Sequence, residues 1–292
     1  MRLLRWLLLR IRTLLSLVSS DGWYRFYGCL GRAACWSGVL PYQKETKANL
    51  QRAFPDRLPS ELRQIEKSYY QRACEFAAEV VTTFVHREAP SPRVRFVNLE
   101  CLKEALRYTD FAVCYSGHFL NYEVLTHLPQ HLEGVEMHCY YHPTGLRAVD
   151  RFVEGVRSRH GAKFIPTTSP LKALLSLRQE TASGAKKYVI GSLADLKPQG
   201  SEAHHAPLFG KYVPAYCGTE RVGRKLGAAF FYAKMLRTGR GCYEVELCPL
   251  VPSGTPRSEY PVTDMYFRQL EENIRQQPEL WMLWATSRLE SL

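Results

Sequence analysis

Apolar positions along the chain follow two rhythms. Beyond residue 93, short apolar runs alternate with longer segments of helical period. DFAVCYS (110–116), VEMHCYY (135–141), AKFIP (162–166), KYVIGSLAD (187–195), AAFFYAKML (228–236) and CYEVELCPL (242–250) predict strands. NLECLKEALRYT, the segment after His118, LRAVDRFVEGVRSRH, PLKALLSLRQET, residues 216–226 and TDMYFRQLEENIRQ predict helices between them. The alternation predicts an α/β fold: a largely parallel central sheet flanked by helices. Ligands of such sheets bind at the carboxyl ends of strands, where YSGHF and SLADLKP fall.

Ahead of this region the pattern is helical. KETKANLQRAF predicts a short helix closed by Pro55. SELRQIEKSYYQRACEFAAEVVTTFV predicts a long one, with Ser60 as its N-cap. EAPSPR (88–93), with two prolines and a serine, is the best linker in the sequence. The expected division is therefore N-terminal helices over 1–40, then one α/β domain over 41–292. That domain has a helical lead-in at 41–90 and a sheet-containing core at 91–292.

Charge changes the picture at the N-terminus. The chain of 292 residues carries a net +11, and residues 1–52 hold nine Lys/Arg against Asp21 and Glu45, a balance of +7. Basic segments attract nucleic acid or phospholipid headgroups. MRLLRWLLLRIRTLLSLVSS interleaves Arg with Leu, Ile and Trp, which favours lipid over nucleic acid. Arg10 and Arg12 interrupt the apolar run well short of the roughly 20 residues a spanning helix needs. No small-residue cleavage site follows, so a signal peptide is not indicated. An amphipathic helix packed on its own domain is the plainer alternative. The reading taken is a set of N-terminal membrane-associated helices at a lipid surface, continued by the aromatic stretch GWYRFYGCLGRAACWSGVLP.

Composition narrows the chemistry. The nine cysteines are odd in number and irregularly spaced, so they imply reduced thiols rather than a disulfide framework. No C-x-x-C occurs, and neither His204-His205 nor His138/His142 has a third ligand at a recognised spacing, so no metal or cofactor is expected. The sequence has no G-x-S-x-G, no G-x-G-x-x-G and no Walker loop. What stands out is His118, just past a strand end, with Glu123 five residues on. Residues five apart lie about 140° around a regular helix, so the two meet only if His118 stands in the turn before the helix. Gly117 permits that turn. From the residues alone, the pair is either a base with its orienting carboxylate or two polar residues flanking a loop.

HFLNYE matches the H-x4-D/E signature of glycerolipid acyltransferases. With NLQRAFP, RSRHGAKFIP, GSLADLKP, PLFGKYVPAYCGTERVGRKLGAAFFY and PELWMLW in that order, the chain resembles the bacterial lipid A biosynthesis (late lauroyl/myristoyl) acyltransferases over nearly its whole length. The resemblance implies transfer of a fatty acyl group from acyl carrier protein to a hydroxyl of a membrane glycolipid, a lipid A precursor, at the cytoplasmic face of the bacterial inner membrane. It implies His118 as general base with Glu123 as its partner, and Arg157, Asp195 and Arg288 as substrate-binding residues. Two departures occur: Leu196 replaces a glutamine after the aspartate, and the tail reads WATSRLE where the family tends to W-x-H-R-R-W/F-K. The second bears on the acceptor, leaving open another glycolipid, an amino-acid lipid or a silent lipid-binding relative.

Overall fold

The computed structural model describes residues 19–37, 42–85, 92–141, 155, 158–166, 170–181, 186–198, 204–252 and 258–289. Three helices come first: α1 (Ser20–Ser37), α2 (Gln43–Ala53) and α3 (Pro59–Val85). The α/β region follows as β1 (Arg93–Val97), α4 (Leu99–Tyr108), β2 (Phe111–Ser116), a 3-10 helix (Tyr122–His131), β3 (Val135–Tyr141), β4 (Lys163–Pro166), α5 (Pro170–Thr181) and β5 (Lys187–Leu193). Then come the strands β6 (His204–Leu208) and β7 (Lys211–Ala215), α6 (Gly218–Leu226), β8 (Ala229–Gly239), β9 (Cys242–Pro249) and α7 (Pro261–Gln276). Short 3-10 turns over Pro278–Leu280, Met282–Ala285 and Ser287–Leu289 end the described chain.

Among the described residues, seven strands form one sheet in the order β1-β9-β8-β2-β5-β3-β4. Every neighbouring pair is parallel except β8 and β9, which a tight turn joins antiparallel. The largely parallel α/β core is therefore as the sequence predicts. All six residues of β2 are buried, as befits a central strand covered on both faces. Tyr266, Phe267, Leu270 and Ile274 form the helical stripe by which α7 covers the sheet.

The structure adds two elements that the pattern does not announce. RVRFV alternates charged and apolar residues and becomes the edge strand β1. HHAPL and KYVPA pair as a separate two-stranded ribbon, turned by Phe209 and Gly210, both at positive φ. Both strands of a ribbon are edges, which is where Pro207 and Pro214 are tolerated. The segment after His118 is 3-10 rather than α-helical, with Pro129 inside it. The helix expected over 146–160 lies almost wholly outside the described residues.

The expectation of membrane-associated N-terminal helices, and with it the placement at the bacterial inner membrane, is corrected here. Among the described residues no helix is long and apolar enough to cross a membrane. α1 packs closely on α3 through Gly28 and Gly31, while Phe26, Leu30 and Trp36 of the same helix are exposed. A Cβ on Gly31 would stand 2.6 Å from the Tyr70 carbonyl oxygen, and one on Gly28 would stand 3.1 Å from Glu75 Oε1. Asp21 ties the same helix to the sheet through Arg240, at 2.9 Å. Residues 1–18, on which the leucine-rich reading rested, lie outside the described residues.

Candidate active site

The register of two central strands assembles the site. β2 and β5 run side by side with Ser116 opposite Leu193. Two residues beyond each strand end stand His118 and Asp195, so parallel pairing brings together residues 77 positions apart. Asp195 is wholly buried. Its Oδ2 accepts the backbone N–H of His118 at 2.8 Å and the indole N–H of Trp281 at 2.9 Å. Its Oδ1 lies 2.5 Å from His118 Nδ1. Burial alone would raise the Asp195 pKa, but the imidazole charge and these hydrogen bonds outweigh it and hold the carboxyl below its ordinary value. An ionised carboxylate only accepts hydrogen bonds, so Nδ1 carries a proton, and when the ring is neutral its lone pair is on Nε2.

Gly117 lets this happen. A Cβ there would meet Leu270 Cδ1 at 2.6 Å, the Phe119 ring at 2.9 Å and Asp195 Oδ2 at 3.2 Å. The backbone after it is strapped to the C-terminal segment. Met282 N–H donates to the His118 carbonyl at 2.8 Å, and Leu120 N–H to the Leu280 carbonyl at 2.9 Å. The lead-in helices hold that segment in turn. Asn49 of α2 donates to the carbonyls of Trp284 and Thr286 at 2.9 and 2.8 Å, and the Tyr69 hydroxyl of α3 donates to that of Met282 at 3.2 Å. The N–H groups of His118, Phe119 and Leu120 are all engaged within the protein, to Asp195, the Gly117 carbonyl and the Leu280 carbonyl.

The other residues expected from the sequence fall differently. Glu123 opens the 3-10 helix, half-buried, its carbonyl accepting the Thr126 hydroxyl at 2.6 Å. The carboxylate hydrogen-bonded to His118 Nδ1 is Asp195, expected from the sequence to bind substrate. Arg288 is buried, 2% exposed, with its guanidinium 5.3 Å above the Phe267 ring. Its three guanidinium nitrogens have no hydrogen-bond partner among the described residues, and burial pulls its pKa down against the opposing fields of Tyr266 and Asp195. Arg157 lies outside the described residues. Sequence reasoning gave no role to Trp281 or Asn121, although both sit inside quoted motifs, PELWMLW and HFLNYE.

A histidine seated on a buried carboxylate at the carboxyl ends of two parallel strands is the equipment of an α/β enzyme that takes a proton from its substrate. A search of curated proteins gave no match. The family model for bacterial lipid A biosynthesis acyltransferases, however, matches residues 1–290. The chain belongs to that family, and it is an acyltransferase that transfers an acyl chain to a lipid A precursor.

Proposed function

We propose that His118 is the general base of this transfer, that Asp195 fixes its tautomer, and that the donor is the acyl thioester of acyl carrier protein. Nε2 takes the proton of an acceptor hydroxyl as its oxygen attacks the thioester carbonyl carbon. The tetrahedral oxyanion collapses, the C–S bond breaks, and the imidazolium returns its proton to the leaving thiolate. A base of this kind contributes on the order of 10²–10⁴-fold. The observation that carries the reading is the 2.5 Å contact of Nδ1 with a buried carboxylate already held by two N–H donors.

Glu123 is read as the second acid of the motif, acting from the first turn of the 3-10 helix. Arg157 and Arg288 are read as cations for the anionic groups of a glycolipid acceptor or for the developing oxyanion. Two observations support this. The backbone N–H groups beside His118 are engaged elsewhere, and the Arg288 guanidinium gains from a phosphate the acceptors that no described residue supplies. The test is thioester consumption by purified His118→Ala with acyl carrier protein thioester and lipid A precursor, the product read by mass spectrometry. Turnover should vanish while the protein stays folded; unimpaired acylation would sink the mechanism.

A further inference from the structure

The segment that carries His118 is also gripped by α3. Glu79 of α3, 3% exposed, accepts the side-chain N–H of Asn121 on Oε2 at 2.5 Å. The same oxygen accepts the Tyr243 hydroxyl at 2.8 Å, and the Tyr24 hydroxyl of α1 is also hydrogen-bonded to this carboxylate. Beside it, Arg237 of β8 lies 2.8 Å from Glu75, which Arg72 also meets at 2.8 Å. Two glutamates thus face two arginines in an interior formed by α1, α3, β8 and β9. Desolvating such a cluster is expensive, and an apolar filling of equal volume is often as stable. What an apolar filling lacks is direction. An amide held by a carboxylate sets the orientation of one loop residue, and Asn121 is three positions from the base.

We propose that Glu79 is a positioning residue for acyl transfer. Through Asn121 it fixes the HFLNYE segment so that His118 stays seated on Asp195 with its ring aimed at the acceptor. The proposal rests on His118 as the base. The segment is bonded both to the C-terminal strap and to Glu79. Removing either anchor lets the imidazole drift.

The test is a donor–acceptor exchange. Asn121→Asp sets two carboxylates against each other, and Glu79→Gln weakens the acceptor. Asn121→Ala removes the donor without adding charge. Each should lower kcat by about 10²-fold, as a displacement of roughly 1 Å in a reacting group does, with KM for the thioester held within about threefold. In the double variant Glu79→Gln/Asn121→Asp, the amide introduced on α3 donates to the carboxylate introduced in the loop, while its carbonyl accepts from Tyr243. The kcat should then recover at least about tenfold over Asn121→Asp, the coupling expected of directly bonded neighbours. Circular dichroism and thermal melts confirm folding, and His118→Ala is assayed alongside. Wild-type kcat in both Asn121 variants, or a folded exchange variant no faster than Asn121→Asp, overturns the role of Glu79. An active His118→Ala removes the base assignment instead, and the two failures are distinguishable.

Discussion

Asp195→Asn changes one atom and tests the histidine's partner directly. Asp195 accepts three N–H groups: two on Oδ2, from the His118 backbone and Trp281, and one on Oδ1, from Nδ1. Asparagine has one carbonyl oxygen. If that oxygen takes the Oδ2 position, two donors are kept and the new NH2 group faces Nδ1. The imidazole must then present a lone pair at Nδ1 and carry its proton on Nε2, where the base is needed. Restoring the productive tautomer forfeits a charge-assisted hydrogen bond worth about 1.5–3 kcal/mol and leaves a buried donor unsatisfied at about 1–3 kcal/mol more. At about 1.4 kcal/mol per decade, kcat should fall about 10²–10⁴-fold. The fold should persist, because the substitution is isosteric and removes a buried charge. Single-turnover thioester consumption, with a melt as the folding control, reads the result. A rate within about tenfold of wild type, with Glu123→Gln as slow as His118→Ala, would refute the reasoning and return the orienting role to Glu123.

Trp281→Phe removes one of the three donors and leaves a gap beside Asp195, so stability should fall by about 2–4 kcal/mol in a denaturant melt; a variant as stable as wild type would show that the indole N–H does not matter to Asp195. Burial, and then the charges of His160 and His131, lower the His127 pKa from 6.5 to about 4. The folded state thus takes up this proton later than the unfolded one. Its stabilising effect is whole above pH 6.5 and is lost towards pH 4, on the order of 3 kcal/mol in all. His127→Phe should flatten stability curves measured between pH 7.5 and 5, and an unchanged slope would contradict the assignment. Arg288→Met removes a buried cation without hydrogen-bond partners among the described residues, so it should melt no lower than wild type while acceptor KM rises about tenfold. A lower melt with unchanged KM would give the arginine to the fold alone.

Six strands, the sheet class and the place of His118 just past a strand end were legible because each is written locally: apolar runs of strand length, then a glycine and a histidine. The carboxylate that bonds its ring nitrogen was not. Glu123 lies close along the chain, whereas Asp195 reaches the imidazole only through the β2–β5 register, a pairing that no window of sequence contains. Trp281, 86 residues further on, is hidden for the same reason. Edge strand β1 and the proline-bearing ribbon escaped because alternating charge and proline count against strands except at edges, and edge position is a property of the finished sheet. At α1, the contact with α3 is made at Gly28 and Gly31, which add nothing to an apolar pattern, while Phe26, Leu30 and Trp36 stay exposed.

The C-terminal strap has a consequence for when activity begins. The indole that steadies Asp195, the carbonyl that receives Leu120 and the N–H that caps the His118 carbonyl all come from residues 280–282. Met282 is in turn pinned by Tyr69, and the turns after it, at Trp284 and Thr286, by Asn49, both made long before. During synthesis, therefore, the early helices wait for a late segment, and His118 has its full set of bonds only after residues 280–282 have left the ribosome. A nascent chain stopped after α7 would hold every residue of the histidine–aspartate pair and still lack their support. With His118 as the proposed base, catalytic competence comes only once residues 280–282 are in place, making turnover itself a reporter of folding.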